Sequence, residues 1–193
     1  MSTAIHAATT PEPGTQTFVI DSDHSDVGFS VRHMLSRTRG RFARFSGQIQ
    51  LDREQPERSS IVFEVDPASI DTRQPDRDAH LKSGDFFDAE QYPTITFAST
   101  AVRERPDNTW EVDGNLTVHD VTRPVQLQVD FDGGGPSPFG DQRIGFSAAT
   151  DVNREDFGLT YNMVLESGGV LVGKTARIEL SVQAVAAAQS VAA

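Results

Sequence analysis

The stretch HSDVGFSVRHM, from His24 to Met34, alternates apolar and polar residues along its length. Alternation with a period of two is typical of a β-strand that has one face buried and the other in water. One face carries Val27, Phe29, Val31 and His33, and the other carries Asp26, Gly28, Ser30 and Arg32. The apolar face ends in a histidine, so it either tolerates one polar ring in a core or lines something other than a solid core.

The same alternation recurs through most of the chain. The segments are TFVID (17–21), GQIQLD (47–52), SIVFEVD (60–66), TITFAST (94–100), WEVDGNLTV (110–118), PVQLQVDF (124–131), RIGFSAATDV (143–152) and KTARIELSV (174–182). Each has one apolar face, whereas strands of a parallel sheet are covered on both faces and show continuous apolar runs. The sequence therefore predicts an all-β fold of about eight or nine antiparallel strands.

One long segment, DTRQPDRDAHLKSGDFFDAEQYP (71–93), departs from this pattern. Pro75 suits the first turn of a helix, and PDRDAHLKS fits about two helical turns before Gly84. Insertions of this length in an all-β chain usually form a lid or an end plug. We therefore expect one or two short helices here, with Leu81, Phe86 and Phe87 closing one end of the sheet.

The aromatic composition bears on how the sheet closes. The chain has 12 Phe but only 2 Tyr and 1 Trp, so its aromatic surface is almost free of hydroxyl groups. An eight-stranded barrel is filled by side chains or holds one small ligand. Phenylalanine without polar groups suits an interior that accepts hydrocarbon, and the alternative interpretation is an ordinary Phe-rich core.

Charge and composition exclude several classes of function. The formal net charge is −11, and a nucleic-acid-binding protein needs a basic surface that neutralises phosphates. The absence of cysteine excludes disulfides, thiolate nucleophiles and cysteine-ligated zinc. No apolar run approaches the ~18 residues of a transmembrane helix. The start of the chain lacks the basic and apolar regions of a secretory signal, so we expect a cytoplasmic protein.

The two ends of the chain differ in composition from the middle. Residues 1–15 are rich in Ala, Thr and Pro and are predicted to be a flexible arm. Residues 186–193 form an Ala-rich tail. We predict a single domain over residues 16–185.

Motifs for catalysis and for metal binding are weak. The five histidines show no HxH, HxxxH or HExxH spacing, so no metal site is predicted. The nucleophile elbow G-x-S-x-G is missing, and no catalytic residue is predicted. In REDFGL (154–159) we expect Gly158 to relieve the backbone while Phe157 and Leu159 turn inward. Arg154 is then available to pair with a carboxylate or with a ligand phosphate.

Four blocks of sequence carry a resemblance to a known family. They are DSDHSDVGFSVRHM with RGRFARFSGQIQLD (21–34 and 39–52), DAHLKSGDFFDAEQYPTITF (78–97), GNLTVHDVTRPVQL (114–127), and DVNREDFGL with VGKTARIEL (151–159 and 172–180). In order and spacing they resemble the YceI-like family, a lipocalin-like group of polyisoprenoid-binding proteins. The resemblance extends from about Thr17 to Val185.

This resemblance implies an extended, antiparallel, eight-stranded, lipocalin-like barrel. Its interior is expected to hold a long apolar lipid, such as a polyprenyl chain, an isoprenoid quinone or a quinone precursor, which would be the partner in place of any cofactor. Homodimer formation is possible, because related barrels often pair. The alternative is a filled barrel without ligand that acts as a structural or stress-associated interaction protein.

Alternation and resemblance together predict the ligand-binding residues. The predicted wall consists of Phe29, Val31, Phe42, Phe45, Phe63, Phe97, Leu116, Phe146 and Phe157, with Leu81, Phe86 and Phe87 closing one end. His33 is the candidate contact for the polar head of the ligand, and the alternative is a core histidine that donates to a backbone carbonyl.

Two positions depart from the family pattern. Asp120 follows His119 where the family often has glycine, and aspartate tolerates the left-handed geometry of a tight turn. Lys174 stands where an acidic residue is usual, which changes the expected polarity of one rim of the barrel.

Overall fold

The computed structural model describes residues 14–107, 109–164 and 170–187. These residues contain eleven β-segments and one α-helix. The segments are β1 (Gln16–Ile20), β2 (Asp26–His33), β3 (Ser36–Phe42), β4 (Phe45–Leu51), β5 (Ser60–Val65), β6 (Ile70–Asp71), β7 (Ile95–Glu104), β8 (Thr109–Val118), β9 (Val121–Pro136), β10 (Gln142–Asn153) and β11 (Val172–Ala186). Helix α1 spans Pro75–Lys82, and single 3₁₀ turns span Ser22–His24, Pro56–Arg58, Pro67–Ser69 and Arg154–Phe157. The arm predicted for residues 1–15 and the tail predicted for 186–193 lie mostly outside the described residues.

All the segments belong to one antiparallel sheet that closes on itself. Around the ring the order is β1, β4, β5, β7, β8, β9, β10 and β11, and β11 pairs back onto β1. In this closing pair Phe18 faces Ala186, Val19 faces Val185 and Ile20 faces Ala184. The predicted fold class, an all-β antiparallel eight-stranded barrel with few short helices, is confirmed.

Two of the strands around the ring are each built from two consecutive segments, β1 with β2 and β3 with β4. β11 pairs with β2 from Val172 to Ser181 and with β1 from Ala184 to Ala186, so β1 and β2 follow one edge with a 3₁₀ turn between them. On their other side, β2 pairs with β3 and β1 pairs with β4. The barrel therefore has eight strand positions around its ring, although eleven β-segments contribute to it.

The corner between β1 and β2 is tied to the neighbouring strands by side chains. The Gln183 amide donates to Ser25 Oγ at 2.9 Å, and the Asp21 amide donates to the Gln183 carbonyl at 2.8 Å. Arg143 Nη1 donates to Asp21 Oδ2 at 2.8 Å. Burial acts to raise the pKa of Asp21, but hydrogen bonds with His24 and Arg143 outweigh it and hold the pKa below its usual value. The carboxylate is thus kept charged where β11 changes partner.

Strand β3 was not predicted from the sequence. Its sequence SRTRGRF alternates arginines with small residues rather than with apolar ones. Arg37, Arg39 and Arg41 are exposed on the outer face, while Gly40 on the inner face lies against the Phe29 ring. Phe29 thus supplies from β2 the apolar volume that β3 itself lacks.

The insertion between β6 and β7 forms the predicted short helix α1. Pro75 occupies its first turn, and the side-chain oxygen of Gln74 accepts from the Arg77 amide at 2.5 Å. Asp78 Oδ1 accepts from the Thr72 amide at 2.9 Å, which ties the helix to the end of β6. The insertion therefore lies at the end of the barrel where β6 ends and β7 begins.

Gly114 in β8 provides a test of inward packing. A Cβ on Gly114 would clash with the Phe97 ring and approach the Ala98 carbonyl oxygen to 2.7 Å, whereas a Cβ on Gly135 in β9 would meet nothing within 4 Å. We expect Gly114→Ala to lower the free energy of unfolding by about 1–3 kcal/mol through overpacking. The matched control Gly135→Ala should change it by less than about 0.5 kcal/mol. Urea unfolding of the two variants measures the difference, and equal stabilities would contradict the packing of Phe97 on Gly114.

Candidate ligand cavity

The barrel wall surrounds a cavity of about 240 Å³. One water molecule needs roughly 10–15 Å³ on the same scale, so the space far exceeds a packing defect. The wall is almost wholly apolar, and the few polar residues on it are Ser59, Thr96, Thr150 and Arg154. An apolar space of this kind offers few favourable contacts to a polar solute and is suited to hydrocarbon.

Eight of the residues predicted to contact a ligand lie on the cavity wall: Phe29, Phe42, Phe63, Phe87, Phe97, Leu116, Phe146 and Phe157. Seven of them come from seven different elements and Phe87 comes from the turn after helix α1, and the barrel brings them together around one space. The Phe42 ring packs between Phe29 and Phe87, at centroid distances of 5.5 Å and 5.8 Å. Phe87 therefore joins the insertion to the wall, as expected for a residue that closes one end.

The cavity wall does not include the other five predicted residues. Phe45 stacks on Phe63 at a centroid distance of 5.7 Å and lies behind it, and Leu81 is half-buried against the core. Phe86 points away from the cavity and packs on His80 and Tyr161, at 5.1 Å from each ring. Adjacent Phe86 and Phe87 lie in the turn after helix α1 and have different neighbours, so only Phe87, which packs on Phe42, is part of the wall.

Val31 and His33 lie beyond the point where β2 leaves the cavity. Both are half-buried, and His33 pairs with Ser36 at the β2–β3 hairpin and with Val172 of β11. The apolar face of β2 therefore contributes Val27 and Phe29 to the wall and ends in the histidine at the rim. Contact of any of the thirteen residues with a ligand stays a prediction.

Sequence reasoning missed most of the aliphatic wall. Ile20, Ile49, Val102, Val112 and Ile178 line the cavity, and so do Trp110, Ala148 and Leu180. The inward positions of the predicted strands contain these residues, but the prediction concentrated on phenylalanine. Counting every inward position of each alternating segment would have found them.

The sequence REDFGL forms the turn that ends β10. The Asn153 side chain accepts from the Glu155 amide at 3.2 Å and so starts a 3₁₀ turn, and Gly158 ends it with a φ of +80°. This left-handed conformation favours glycine. Phe157 and Leu159 are buried and line the cavity, as expected.

Arg154 at the start of this turn is buried although it is charged. Its side chain is directed inward, and the residue is only 6% exposed. Nε donates to the Gly173 carbonyl at 2.9 Å, and Nη1 donates to the Leu159 carbonyl. Burial lowers the pKa of Arg154 below its ordinary value, and the nearby Glu155 acts in the opposite direction. Arginine nevertheless stays protonated in proteins, so a cation lies at the wall of an apolar cavity.

The two departures from the family pattern have local explanations. His119 and Asp120 both adopt positive φ angles, 55° and 57°, as a two-residue hairpin turn between β8 and β9 requires. Lys174 Nζ lies 2.8 Å from Glu155 Oε2, so the lysine forms an ion pair at this rim. This pair contributes one charge of each sign to the rim.

Neither a metal cluster nor a membrane-spanning helix is found in the part of the chain that the structure describes. No three His, Cys, Asp or Glu side chains of residues 14–107, 109–164 and 170–187 come together as metal ligands would. Among the same residues, no helix is both long and apolar enough to cross a membrane.

Comparison with known proteins supports the relationship inferred from the four blocks. A family model for the YceI-like domain matches residues 18–184. A UPF0312 protein of Vibrio cholerae is 39% identical over 145 residues, which cover 74% of this chain and 77% of that protein.

Two solved structures share the fold. The crystal structure of Burkholderia cenocepacia BcnA superimposes with a TM-score of 0.76 at 24% identity and covers 85% of this chain and 98% of its own. A polyisoprenoid binding domain from Saccharophagus degradans, implicated in plant cell wall breakdown, gives a TM-score of 0.64 at 16% identity, with coverages of 89% and 99%.

Ala148 provides a test of whether the cavity accepts an apolar molecule. It is a small residue on the wall, in the middle of β10, and its neighbour Ala149 is not part of the wall. We expect Ala148→Leu to fill part of the cavity and to weaken binding of the neutral fluorescent probe N-phenyl-1-naphthylamine at least tenfold. In a filled barrel the same change would mainly destabilise, by about 1–3 kcal/mol. Ala149→Leu is the matched control, and equal probe binding by both variants would contradict an open interior.

Proposed function

The chain belongs to the YceI-like family, and we propose on this basis that it binds one long-chain apolar lipid inside the barrel. The ligand we propose is a polyprenyl chain, an isoprenoid quinone or a quinone precursor. The protein would sequester or carry this lipid rather than transform it. The observation that carries the proposal is the apolar cavity within the closed barrel.

The wall accounts for the class of ligand. Phenyl rings and aliphatic side chains from all around the ring form it, and its polar groups are few. Such a surface gains free energy from any hydrocarbon that it removes from water but cannot satisfy a polar chain. The polyisoprenoid binding domain of Saccharophagus degradans, which shares this fold, supports a prenyl lipid within that class.

The magnitude of the burial free energy is sufficient for retention. Each buried methylene contributes about 0.8 kcal/mol, so about ten contribute roughly 8 kcal/mol before the costs of association. In gross terms, that corresponds to micromolar affinity. A wall formed by a closed sheet also lowers the cost of ordering the site around the ligand.

The cavity favours this proposal over a filled barrel with a purely structural role. A barrel packed with side chains would leave only spaces smaller than a water molecule. Here the walls are lined by residues from β1 to β11 that face a common space of about 240 Å³.

Lipid extraction tests the proposal. Protein purified without detergent is extracted with organic solvent, and the extract is analysed by mass spectrometry. We expect at least one long-chain apolar compound at a substantial fraction of the protein concentration, with depletion in the Ala148→Leu variant purified in parallel. The emptied protein should take up added C20 or longer prenyl compounds. Repeated recovery of no lipid, together with no uptake of added prenyl compounds, would overturn the proposal.

A further inference from the structure

Arg154 has a hydrogen-bonding group that the protein does not use. Of its three guanidinium nitrogens, Nε and Nη1 donate to the Gly173 and Leu159 carbonyls. Nη2 is buried and has no hydrogen-bond partner within the part of the chain that the structure describes. Buried polar groups of folded proteins are nearly always hydrogen-bonded, and an exception calls for an explanation.

The nearby carboxylates are engaged elsewhere. Glu155 Oε2 lies 2.8 Å from Lys174 Nζ, and Asp156 Oδ1 accepts from Asn153 Nδ2 at 3.0 Å. Asp151 on the outer face of β10 lies 3.5 Å from Arg177 Nη1. The alternative left open by the sequence, a carboxylate partner for Arg154, is therefore not what the fold provides.

Arg154 also differs from every other residue of the cavity wall. Among the described residues that line the cavity, it alone carries a charge, and it lies on the 3₁₀ turn at the end of β10. The opposite end of the same wall is formed by Leu51, Val102 and Trp110. Arg154 therefore lies at one end of the cavity, and the residues at the other end are apolar.

From this arrangement we infer that Arg154 Nη2 binds an oxygen acceptor on the head group of the cavity ligand. The shared chemistry is an oxygen with available lone pairs, as in a carboxylate, a phosphate or a quinone carbonyl. The head group then lies against the Arg154–Phe157 turn, and the hydrocarbon chain runs toward Val102 and Trp110. The inference rests on the proposed function and adds the direction in which the lipid lies.

The same inference assigns the head-group contact to Arg154 instead of His33. That histidine lies at the rim of β2 and is not part of the wall, whereas Arg154 is part of it. Arginine also stays protonated in proteins, and ionised donors form stronger hydrogen bonds than neutral donors do. Arg154 therefore replaces His33 as the residue that selects the head group.

Matched ligands test this selectivity. All carry a C20 prenyl chain, and the head groups are carboxylate (geranylgeranoic acid), monophosphate, naphthoquinone and a neutral alcohol (geranylgeraniol). Affinities are measured by displacement of N-phenyl-1-naphthylamine from the full-length wild-type protein and from Arg154→Met and Arg154→Lys. The ratio of each affinity to that of the alcohol removes the contribution of the shared chain.

We expect Arg154→Met to lower this ratio at least tenfold for one or more of the three acceptor head groups. Arg154→Lys, which keeps the cation, should retain part of the preference. The head group that loses most identifies the acceptor class. Ratios that are the same in wild type and Arg154→Met would overturn the inference while leaving lipid binding intact. Failure of all four compounds to displace the dye from the wild type would instead overturn the proposed function.

A second measurement uses only the wild-type protein, because Arg154→Met also loses the bonds to Gly173 and Leu159. The acid is labelled with ¹³C at the carboxyl carbon, and its pKa in the complex is measured by NMR titration. A cation beside the carboxylate lowers its pKa, whereas an apolar surrounding alone raises it. A bound pKa below that of the free acid supports the inference. A bound pKa at or above that of the free acid overturns it.

Discussion

The closure of the sheet between β1 and β11 is the constraint on which the rest of the structure depends. It gives every strand position around the barrel a hydrogen-bonded neighbour on both sides. A sandwich of two open sheets holds together by packing their apolar faces on each other, so its interior must be filled. A ring of hydrogen bonds maintains its shape without that packing, and eight strands are wide enough for a small ligand. The cavity is thus a consequence of closure.

Much of this architecture follows from the sequence, and the exceptions have identifiable physical reasons. β2, β8, β9 and β10 are each long alternating segments, and the structure confirms them as antiparallel strands. β3 was missed because its inward positions are small and its outward positions are arginines, a pattern that resembles a basic loop. Its inner face is completed by Phe29 from the neighbouring strand, which no pattern within β3 indicates. The change of partner by β11 was equally inaccessible, since register depends on contacts far apart in the chain.

The candidate site likewise contains residues that the sequence predicted and residues that it did not. Phe29, Phe63, Phe97 and Phe146 of the alternating segments lie on the cavity wall, because the period of two determines which side chains point inward. Phe45 and Phe86 do not lie on it, since Phe45 stacks on Phe63 and Phe86 packs on Tyr161 in the turn after the helix. Arg154 is the main residue that pattern reasoning undervalued. Charged side chains are rarely buried, so a charge in a sequence is taken to face water unless something pairs with it. Only the fold shows two of its nitrogens bound to main-chain carbonyls and the third buried without a partner among the described residues.

The strands that close the ring are the first and the last of the domain. The Ala187 amide donates to the Thr17 carbonyl at 2.8 Å, so the two ends of the folded unit lie side by side. During synthesis the final strand leaves the ribosome last, and until it does the nascent wall has two open edges. The cavity therefore forms only after β11 has been translated, so any molecule that occupies it enters after β11 has paired with β1.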